Sequence, residues 1–216
     1  MTVTVTAHKL ARLLLAGLGL AAVGAGLWRA VEAGFAADNY LSFFTIQTTL
    51  IAVVVLTLTA LRRPDARPHW LDWWRGATAV YLTITFVVVI VLLEGRFGWT
   101  YWTDFVTHKL LPIALVADFL LDPPRNRLTT RDGAWFVSFG LAWLGYTFVR
   151  GALTGWYPYS FLDPAASGLL TAVATAAVIV LAGLGLGVLY VRLARYSAAR
   201  RMAPSQAVSD ARGSRR

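Results

Sequence analysis

Long apolar runs alternate with short polar stretches along the chain. Six runs cover residues 13–27, 40–61, 77–93, 105–121, 134–149 and 168–191. Each is close to the roughly 20 residues that an α-helix needs to cross about 30 Å of hydrocarbon. The runs lack the period-two alternation of polar and apolar residues that a membrane β-barrel requires. The pattern therefore predicts an all-α integral membrane bundle of six transmembrane helices.

Composition agrees with this fold class. Of the 216 residues, 57% are hydrophobic and 14% are charged, whereas about a quarter of the residues of a soluble domain are charged. The chain has no cysteine, which excludes disulfides, cysteine-ligated metals and a thiol nucleophile.

Basic residues cluster in alternate connections between the runs. With a cytoplasmic N-terminus, every one of the 20 Lys and Arg residues lies on the cytoplasmic side except Arg29, Arg96, Lys109 and Arg150. The positive-inside rule therefore predicts that both termini are cytoplasmic. Orientation and attraction to anionic lipid at the cytoplasmic face explain the net charge of +9, so we expect no nucleic-acid partner.

The domain organisation follows from the same pattern. Residues 1–196 form the predicted six-helix transmembrane domain of a multi-pass plasma-membrane protein. Residues 197–216 are rich in Ala, Arg and Ser without apolar periodicity, which predicts a disordered basic cytoplasmic tail. The oligomeric state is left open.

Candidate catalytic residues lie near the outer ends of two runs. His108 is the one histidine inside an apolar run, where an ionisable side chain is costly and often functional. Thr45 and His108 both lie near the start of their runs, and both runs are predicted to lead from outside to inside. The two residues are therefore expected at a similar depth below the outer boundary. Asp104 is one turn from His108 on the same helical face. These residues supply a hydroxyl nucleophile, a histidine base and an acidic orienting group for acyl transfer.

Other readings of the polar residues stay open. Ser42 shares the predicted helical face of Thr45 and is an alternative nucleophile, although hydroxyls in membrane helices also bond to their own backbone. Arg96 and Arg150 at outer helix ends could contact a carboxylate or phosphate headgroup, or could snorkel to the interface. No zinc motif and no pair of haem-ligating histidines lies within the runs, so we expect no metal and no cofactor.

Three short motifs carry a resemblance to a known family: Asn39-Tyr40-Leu41-Ser42-Phe43-Phe44-Thr45-Ile46-Gln47, Thr107-His108-Lys109-Leu110-Leu111-Pro112 and Trp156-Tyr157-Pro158-Tyr159. Over roughly residues 10–192 the chain resembles the androgen-induced membrane proteins, and it looks like a bacterial relative. That family includes the androgen-dependent regulator of tissue factor pathway inhibitor. Its animal members are multi-pass threonine hydrolases that cleave fatty acid esters of hydroxy fatty acids, using one Thr and one His.

The resemblance implies a role for particular residues. It makes His108 the catalytic histidine. Matching Phe43-Phe44-Thr45 to the family's Tyr-Leu-Thr makes Thr45 the nucleophile, whereas the literal match of Tyr40-Leu41-Ser42 favours Ser42. The expected function is hydrolysis of a membrane lipid or fatty-acyl ester near the outer leaflet. The alternative is a non-enzymatic multi-pass membrane protein, such as a small transporter, lipid carrier or scaffold.

Overall fold

The structure is a computed structural model that describes residues 2–93 and 101–213, with side chains described for residues 6–93 and 101–198. Within these ranges the chain is helical and contains no β-strand, so the predicted all-α class is confirmed. Five helices of the described chain are long and apolar enough to span a membrane, as expected for a multi-pass membrane protein: Thr6–Glu32, Phe44–Leu61, His69–Leu93, Thr130–Thr154 and Leu169–Ala198.

The helices follow one another in chain order: α1 (Thr2–Glu32), α2 (Ala37–Ser42), α3 (Phe44–Leu61), α4 (His69–Val88), α5 (Trp102–Phe105), α6 (Leu111–Leu121), α7 (Thr130–Trp135), α8 (Ser138–Thr154), α9 (Pro164–Ser167) and α10 (Leu169–Gly213). A π-helical turn extends α4 through Val89–Leu93, and another, Val106–Leu110, joins α5 to α6. Helix α10 continues past residue 197, and the disorder of the tail stays a prediction.

The fourth predicted span forms one continuous helix from α5, the π-turn and α6, but it is not among the five apolar helices. It carries three charged residues, Asp104, Lys109 and Asp118. This helix packs against α1, α3 and α4. The faces of a membrane helix that pack against other helices can carry polar residues, because these residues find partners there.

The second predicted span is interrupted near its N-terminal end. Phe43 has φ −64° and ψ 135°, an extended conformation that ends α2 and begins α3. Its ring packs edge-on against Trp156 and Tyr159, with centroids 5.9 and 5.5 Å away, so aromatic packing stabilises the break. The expectation that Ser42 and Thr45 share a face of one continuous helix is therefore wrong.

Helix α4 lies at the centre of the bundle, where it packs against α3, α6 and α10. Its residues Ala77, Val80 and Tyr81 are fully buried. On the periphery, by contrast, Leu153 of α8 is 81% exposed and Leu170 of α10 is 84% exposed. Exposed apolar side chains are unfavourable in water, but they suit contact with lipid acyl chains.

Helices α7 and α10 approach each other closely where two glycines meet. A Cβ placed on Gly133 would lie 2.5 Å from the backbone oxygen of Gly187, so no side chain fits there. The Gly-rich segment 183–187 therefore serves helix packing at Gly187, in the manner of small-residue contacts between membrane helices.

A largely buried ion network closes one end of the bundle. It contains three arginines and three aspartates from α1, α4, α6 and the loops beside them: Arg12, Arg67, Arg75, Asp72, Asp118 and Asp122. We call it the arginine–aspartate network. Arg12 donates to Asp118 and to Asp122, both over 2.6 Å. Arg75 donates to the Asp118 carboxylate over 2.8 Å. The network therefore ties α1 and α4 to the end of α6.

Asp122 is the carboxylate that most of these arginines share. It accepts from Arg12, and from Arg67 over 3.0 and 3.2 Å. Burial alone would raise the pKa of Asp122. The hydrogen bond from Arg12 and the charges of Arg67 and Arg75 outweigh burial and hold this pKa well below its usual range. Asp122 is therefore ionised at neutral pH and neutralises buried guanidinium groups.

Candidate functional site

A cavity of about 220 Å³ lies at the end of the bundle opposite the arginine–aspartate network. The segment before α3, the π-turn of the fourth helix and the loop before α9 surround it. Its polar lining consists of side chains from neighbouring segments and from the residues in and around the π-turn: Tyr40, Thr45, Thr103, Asp104, Thr107, His108 and Tyr159. The structure thus places Thr45 and His108, two residues singled out from the sequence, on the walls of one cavity.

The π-turn Val106–Leu110 positions His108. The Nδ1 atom of His108 lies 3.0 Å from the backbone oxygen of Asp104 and 3.1 Å from Oγ1 of Thr107. A carbonyl oxygen can only accept a hydrogen bond, so we assign the ring proton to Nδ1. Nε2 is then the basic nitrogen, the form in which a histidine acts as a general base.

Thr107 supports the same arrangement of the ring. Its hydroxyl donates to the backbone oxygen of Thr103 over 3.0 Å, which leaves its oxygen to accept from Nδ1 of His108. Asp104, predicted as an acidic orienting group, contacts the ring through its backbone carbonyl. Its carboxylate lies 3.4 Å from the Thr103 hydroxyl. Backbone geometry of the π-turn, which the sequence pattern did not indicate, therefore orients the imidazole.

Thr45 lies in the first turn of α3 and is 5% exposed. The phenol of Tyr159 lies beside this side chain and beside the backbone at Phe44 and Thr45. The Tyr159 ring is held by the rings of Phe43, Trp143 and Phe161, with centroids 5.5, 5.9 and 5.2 Å away. Aromatic packing on several sides thus fixes a phenol beside the threonine hydroxyl.

A second, narrow cavity of about 60 Å³ adjoins the first one. Thr45 and Tyr159 belong to the walls of both cavities, and the remaining lining of the second is almost entirely apolar, with Ile84, Leu144 and Ile179 among its residues. Thr45 therefore lies on the boundary between a polar cavity that contains the histidine and an apolar cavity among α3, α4, α8 and α10.

Ser42, the alternative nucleophile, is directed elsewhere. Its hydroxyl donates to the backbone oxygen of Asp38 over 2.6 Å and pairs with the hydroxyl of Tyr146 over 2.8 Å. The indole nitrogen of Trp143 donates to the Ser42 backbone oxygen over 3.0 Å. Among the described residues that line the His108 cavity, Ser42 does not occur. The break at Phe43 turns Ser42 toward α8 while Thr45 stays at the cavity.

Of the two arginines predicted at outer helix ends, only Arg150 can be placed, because Arg96 lies outside the described residues. Arg150 donates to Asp38 and Asn39, both over 2.7 Å, and its guanidinium lies 4.6 Å from the Trp156 ring centroid. The hydrogen bond from Arg150 lowers the pKa of Asp38. Arg150 therefore joins α8 to α2, which gives it a structural contact in addition to any contact with a headgroup.

Sequence reasoning missed three features near the two ends of the bundle. Arg29 donates to the hydroxyl of Thr103 and lies 3.8 Å from the Tyr101 ring centroid, beside the cavity rim. In the sequence, Tyr159 belongs to the aromatic motif at residues 156–159 and carries no other signal of a role beside Thr45. The arginine–aspartate network could have been suspected from Arg12, a charged residue at the edge of an apolar run.

Within residues 6–93 and 101–198, no group of three or more His, Asp or Glu side chains lies close enough together to hold a metal ion. The expectation that the protein uses no cofactor stays a prediction. Comparison of the chain with protein-family models, with curated proteins and with solved structures found no match.

Proposed function

We propose that the protein is a multi-pass plasma-membrane hydrolase of lipid acyl esters, with Thr45 as nucleophile and His108 as general base. The observation that carries the proposal is the shared cavity, whose walls contain both side chains. The motif resemblance described above supports the same pair of residues. A substrate ester would enter from the lipid with its carbonyl carbon beside Thr45.

The reaction has two acyl-transfer steps. Oγ1 of Thr45 attacks the ester carbonyl carbon while Nε2 of His108 takes the hydroxyl proton, and the carbonyl π electrons move to oxygen. Collapse of the tetrahedral intermediate breaks the bond to the alcohol, which leaves with the proton from His108. Water then attacks the acyl-threonine with His108 again as base, which releases the fatty acid and restores Thr45.

Tyr159 would stabilise the negative oxygen of this intermediate. Its phenol lies beside the Thr45 side chain, and Oγ1 of Thr45 and the negative oxygen are attached to the same carbon of the intermediate. A donor beside one of them is therefore in reach of the other. Burial raises the pKa of Tyr159, so the phenol stays protonated at neutral pH and can donate.

The two cavities fit the two ends of a lipid ester. The apolar cavity beside Thr45 suits the start of an acyl chain, although its volume of about 60 Å³ requires the rest of the chain to lie toward the surrounding lipid. The polar cavity beside His108 suits the ester group and the water of the second step. A fatty-acyl ester is the substrate class that combines both properties.

Six spans with both termini in the cytoplasm complete the proposal. The fourth segment contacts α1 at both ends, through Arg29 and Thr103 and through Arg12 and Asp118. Arg12 and Arg29 are about 25 Å apart along a helix that rises 1.5 Å per residue. That length supports a crossing of most of the hydrocarbon layer by the fourth segment. The distribution of Lys and Arg supports the orientation.

Labelling with a fluorescent fluorophosphonate, which modifies activated hydroxyls, tests the proposed hydrolase in purified protein. We expect wild type to be labelled and Thr45→Val to be unlabelled. His108→Ala should be labelled about 10²–10⁴-fold more slowly, because it lacks the general base. Thr59→Val is the matched control, since Thr59 is another buried threonine of α3 and its hydroxyl donates to the Val55 backbone oxygen over 2.6 Å.

Two results would remove the proposal. Labelling that survives in both Thr45→Val and His108→Ala would show that another hydroxyl reacts. Full biological activity of a well-folded His108→Leu variant would favour the non-enzymatic alternative, because a scaffold or carrier does not need the imidazole of His108 as a base.

A further inference from the structure

A third cavity, of about 300 Å³, lies beside the arginine–aspartate network, at the other end of the bundle from His108. One wall is the loop at residues 124–128, which connects α6 to α7. The other wall is a face of α10 at Val191, Ala194, Arg195 and Ala198. These four positions follow the spacing of a single helical face, and the two alanines leave the space open.

The charge of this cavity is unbalanced. Arg125, Arg127 and Arg195 line it, and its described lining includes no acidic residue. The neighbouring arginine–aspartate network contains as many arginines as aspartates and has no surplus negative charge. Arg125 contacts Asp122 over 3.1 Å, but that carboxylate already accepts from Arg67. The three cavity arginines are therefore left with a net positive charge.

One of the three arginines is fixed in place before any ligand arrives. Both Nε and Nη2 of Arg195 donate to the backbone oxygen of Leu128, the first over 2.8 Å. This contact holds the guanidinium at the cavity wall and lowers the side-chain entropy that binding would cost. The planar, delocalised guanidinium group is the side chain best suited to bind phosphate oxygens.

The position along the bundle matches the level of lipid headgroups. The loop at 124–128 comes just before the apolar helix Thr130–Thr154, and the α10 face lies in the last turns of the apolar helix Leu169–Ala198. Trp135, one turn and a half into the first of these helices, is 58% exposed. Exposed tryptophans concentrate at the boundary between hydrocarbon and headgroups.

From this combination we propose that the cavity binds the phosphate of an anionic phospholipid headgroup from the adjacent leaflet. The acyl chains would lie along the exposed apolar surface of α10. The site does not depend on the hydrolase proposed above, since it shares none of the residues around His108. It also goes beyond diffuse attraction between basic residues and anionic lipid, because it predicts one saturable site per chain.

Lipid binding tests this site in the full chain reconstituted in nanodiscs of phosphatidylcholine with or without phosphatidylglycerol. Native mass spectrometry counts the retained lipids, and titration with short-chain phosphatidylglycerol measures affinity. We expect one retained phosphatidylglycerol, bound about fivefold more weakly by Arg127→Gln, the loss expected for one basic contact to a lipid phosphate. Arg63→Gln is the matched control: it removes the same charge from a residue whose side chain is 81% exposed and lies 3.6 Å from Asp65.

The outcomes separate the sources of the phosphate and the alternatives. Inorganic phosphate that competes with the lipid at equal concentration would support the phosphate site while identifying a free anion as the ligand. Equal weakening by Arg127→Gln and Arg63→Gln would overturn the proposal in favour of diffuse attraction. Retention of phosphatidylcholine as strong as that of phosphatidylglycerol would overturn it as well.

Discussion

Replacing Asp122 by asparagine removes the charge at the centre of the arginine–aspartate network while keeping the shape of the side chain. Asp122 accepts from Arg12 over 2.6 Å and from Arg67 over 3.0 and 3.2 Å. The Arg67 side chain is 1% exposed, and its other carboxylate contact, with Asp72, is longer at 3.8 Å. Loss of one partner of a buried ion pair costs about 3–5 kcal/mol, because the remaining charge is uncompensated.

The two aspartates that remain in the network reduce this cost. We therefore expect Asp122→Asn to lower the free energy of unfolding by about 3 kcal/mol. For a chain of this length that corresponds to a fall of about 6–12 °C in the midpoint of thermal unfolding. The assay is tryptophan fluorescence of the purified protein in detergent during heating, with size-exclusion chromatography of the heated samples as a second readout.

Asp65→Asn is the matched control for the same experiment. Asp65 lies 3.6 Å from Arg63, and both side chains are more than 70% exposed. An exposed pair of this kind contributes about 1 kcal/mol or less, so the midpoint should move by less than about 4 °C. Equal shifts in Asp122→Asn and Asp65→Asn would contradict this expectation, because burial would then make no difference to the stability that each variant loses.

Further predictions concern pH, the phenol and helix packing. The pKa of Asp122 is held below its unfolded value of about 3.9, so its contribution to the free energy of unfolding is present above that pH. This contribution is lost as the pH falls further. The difference in thermal midpoint between wild type and Asp122→Asn should therefore be smaller at pH 3 than at pH 7. Tyr159→Phe keeps the ring and removes the hydroxyl, so kcat for a lipid ester should fall about 10²–10³-fold with little change in KM; an unchanged kcat would exclude the phenol from catalysis. Gly133→Leu should separate α7 from α10 and lower the thermal midpoint strongly, because the Gly187 backbone occupies the space of the new side chain; a leucine at Gly140, which has open space around its Cβ position, is the control.

Much of the fold could be predicted because a bilayer imposes one simple requirement. A helix that spans it must be apolar over about 20 residues, and that pattern is visible in the sequence for every one of the five apolar helices. The fourth segment shows the limit of this reasoning. Asp104 lines the cavity of His108, and Asp118 accepts from Arg12 and Arg75 of two other helices. Composition alone does not reveal which surfaces of a helix other helices cover.

The candidate site was only partly predictable for a related reason. The similar depth of Thr45 and His108 follows from counting residues along helices, and the two residues line one cavity at one end of the bundle. The break at Phe43 does not follow from its sequence, because phenylalanine commonly continues a helix and the extended conformation is stabilised by rings from a distant loop. The direction of Ser42 therefore depends on tertiary packing.

The arginine–aspartate network could not be predicted from the sequence, because its ion pairs also depend on tertiary contacts. Arg12 and Asp118 are separated by 106 positions in the chain, so no local pattern pairs them. Read singly, a basic residue before an apolar run and an acidic residue near a helix end are ordinary signs of orientation and termination. Only the packing of α1 against α6 brings them within 2.6 Å of each other.

The most direct test of the proposed chemistry is to locate the covalent adduct. Wild-type protein treated with a fluorophosphonate is digested, and mass spectrometry identifies the modified residue. We expect one adduct on Thr45 of the wild-type protein, and none on the His108→Ala protein treated for the same time. An adduct on Ser42, or the absence of any adduct on wild type, would contradict the proposed chemistry.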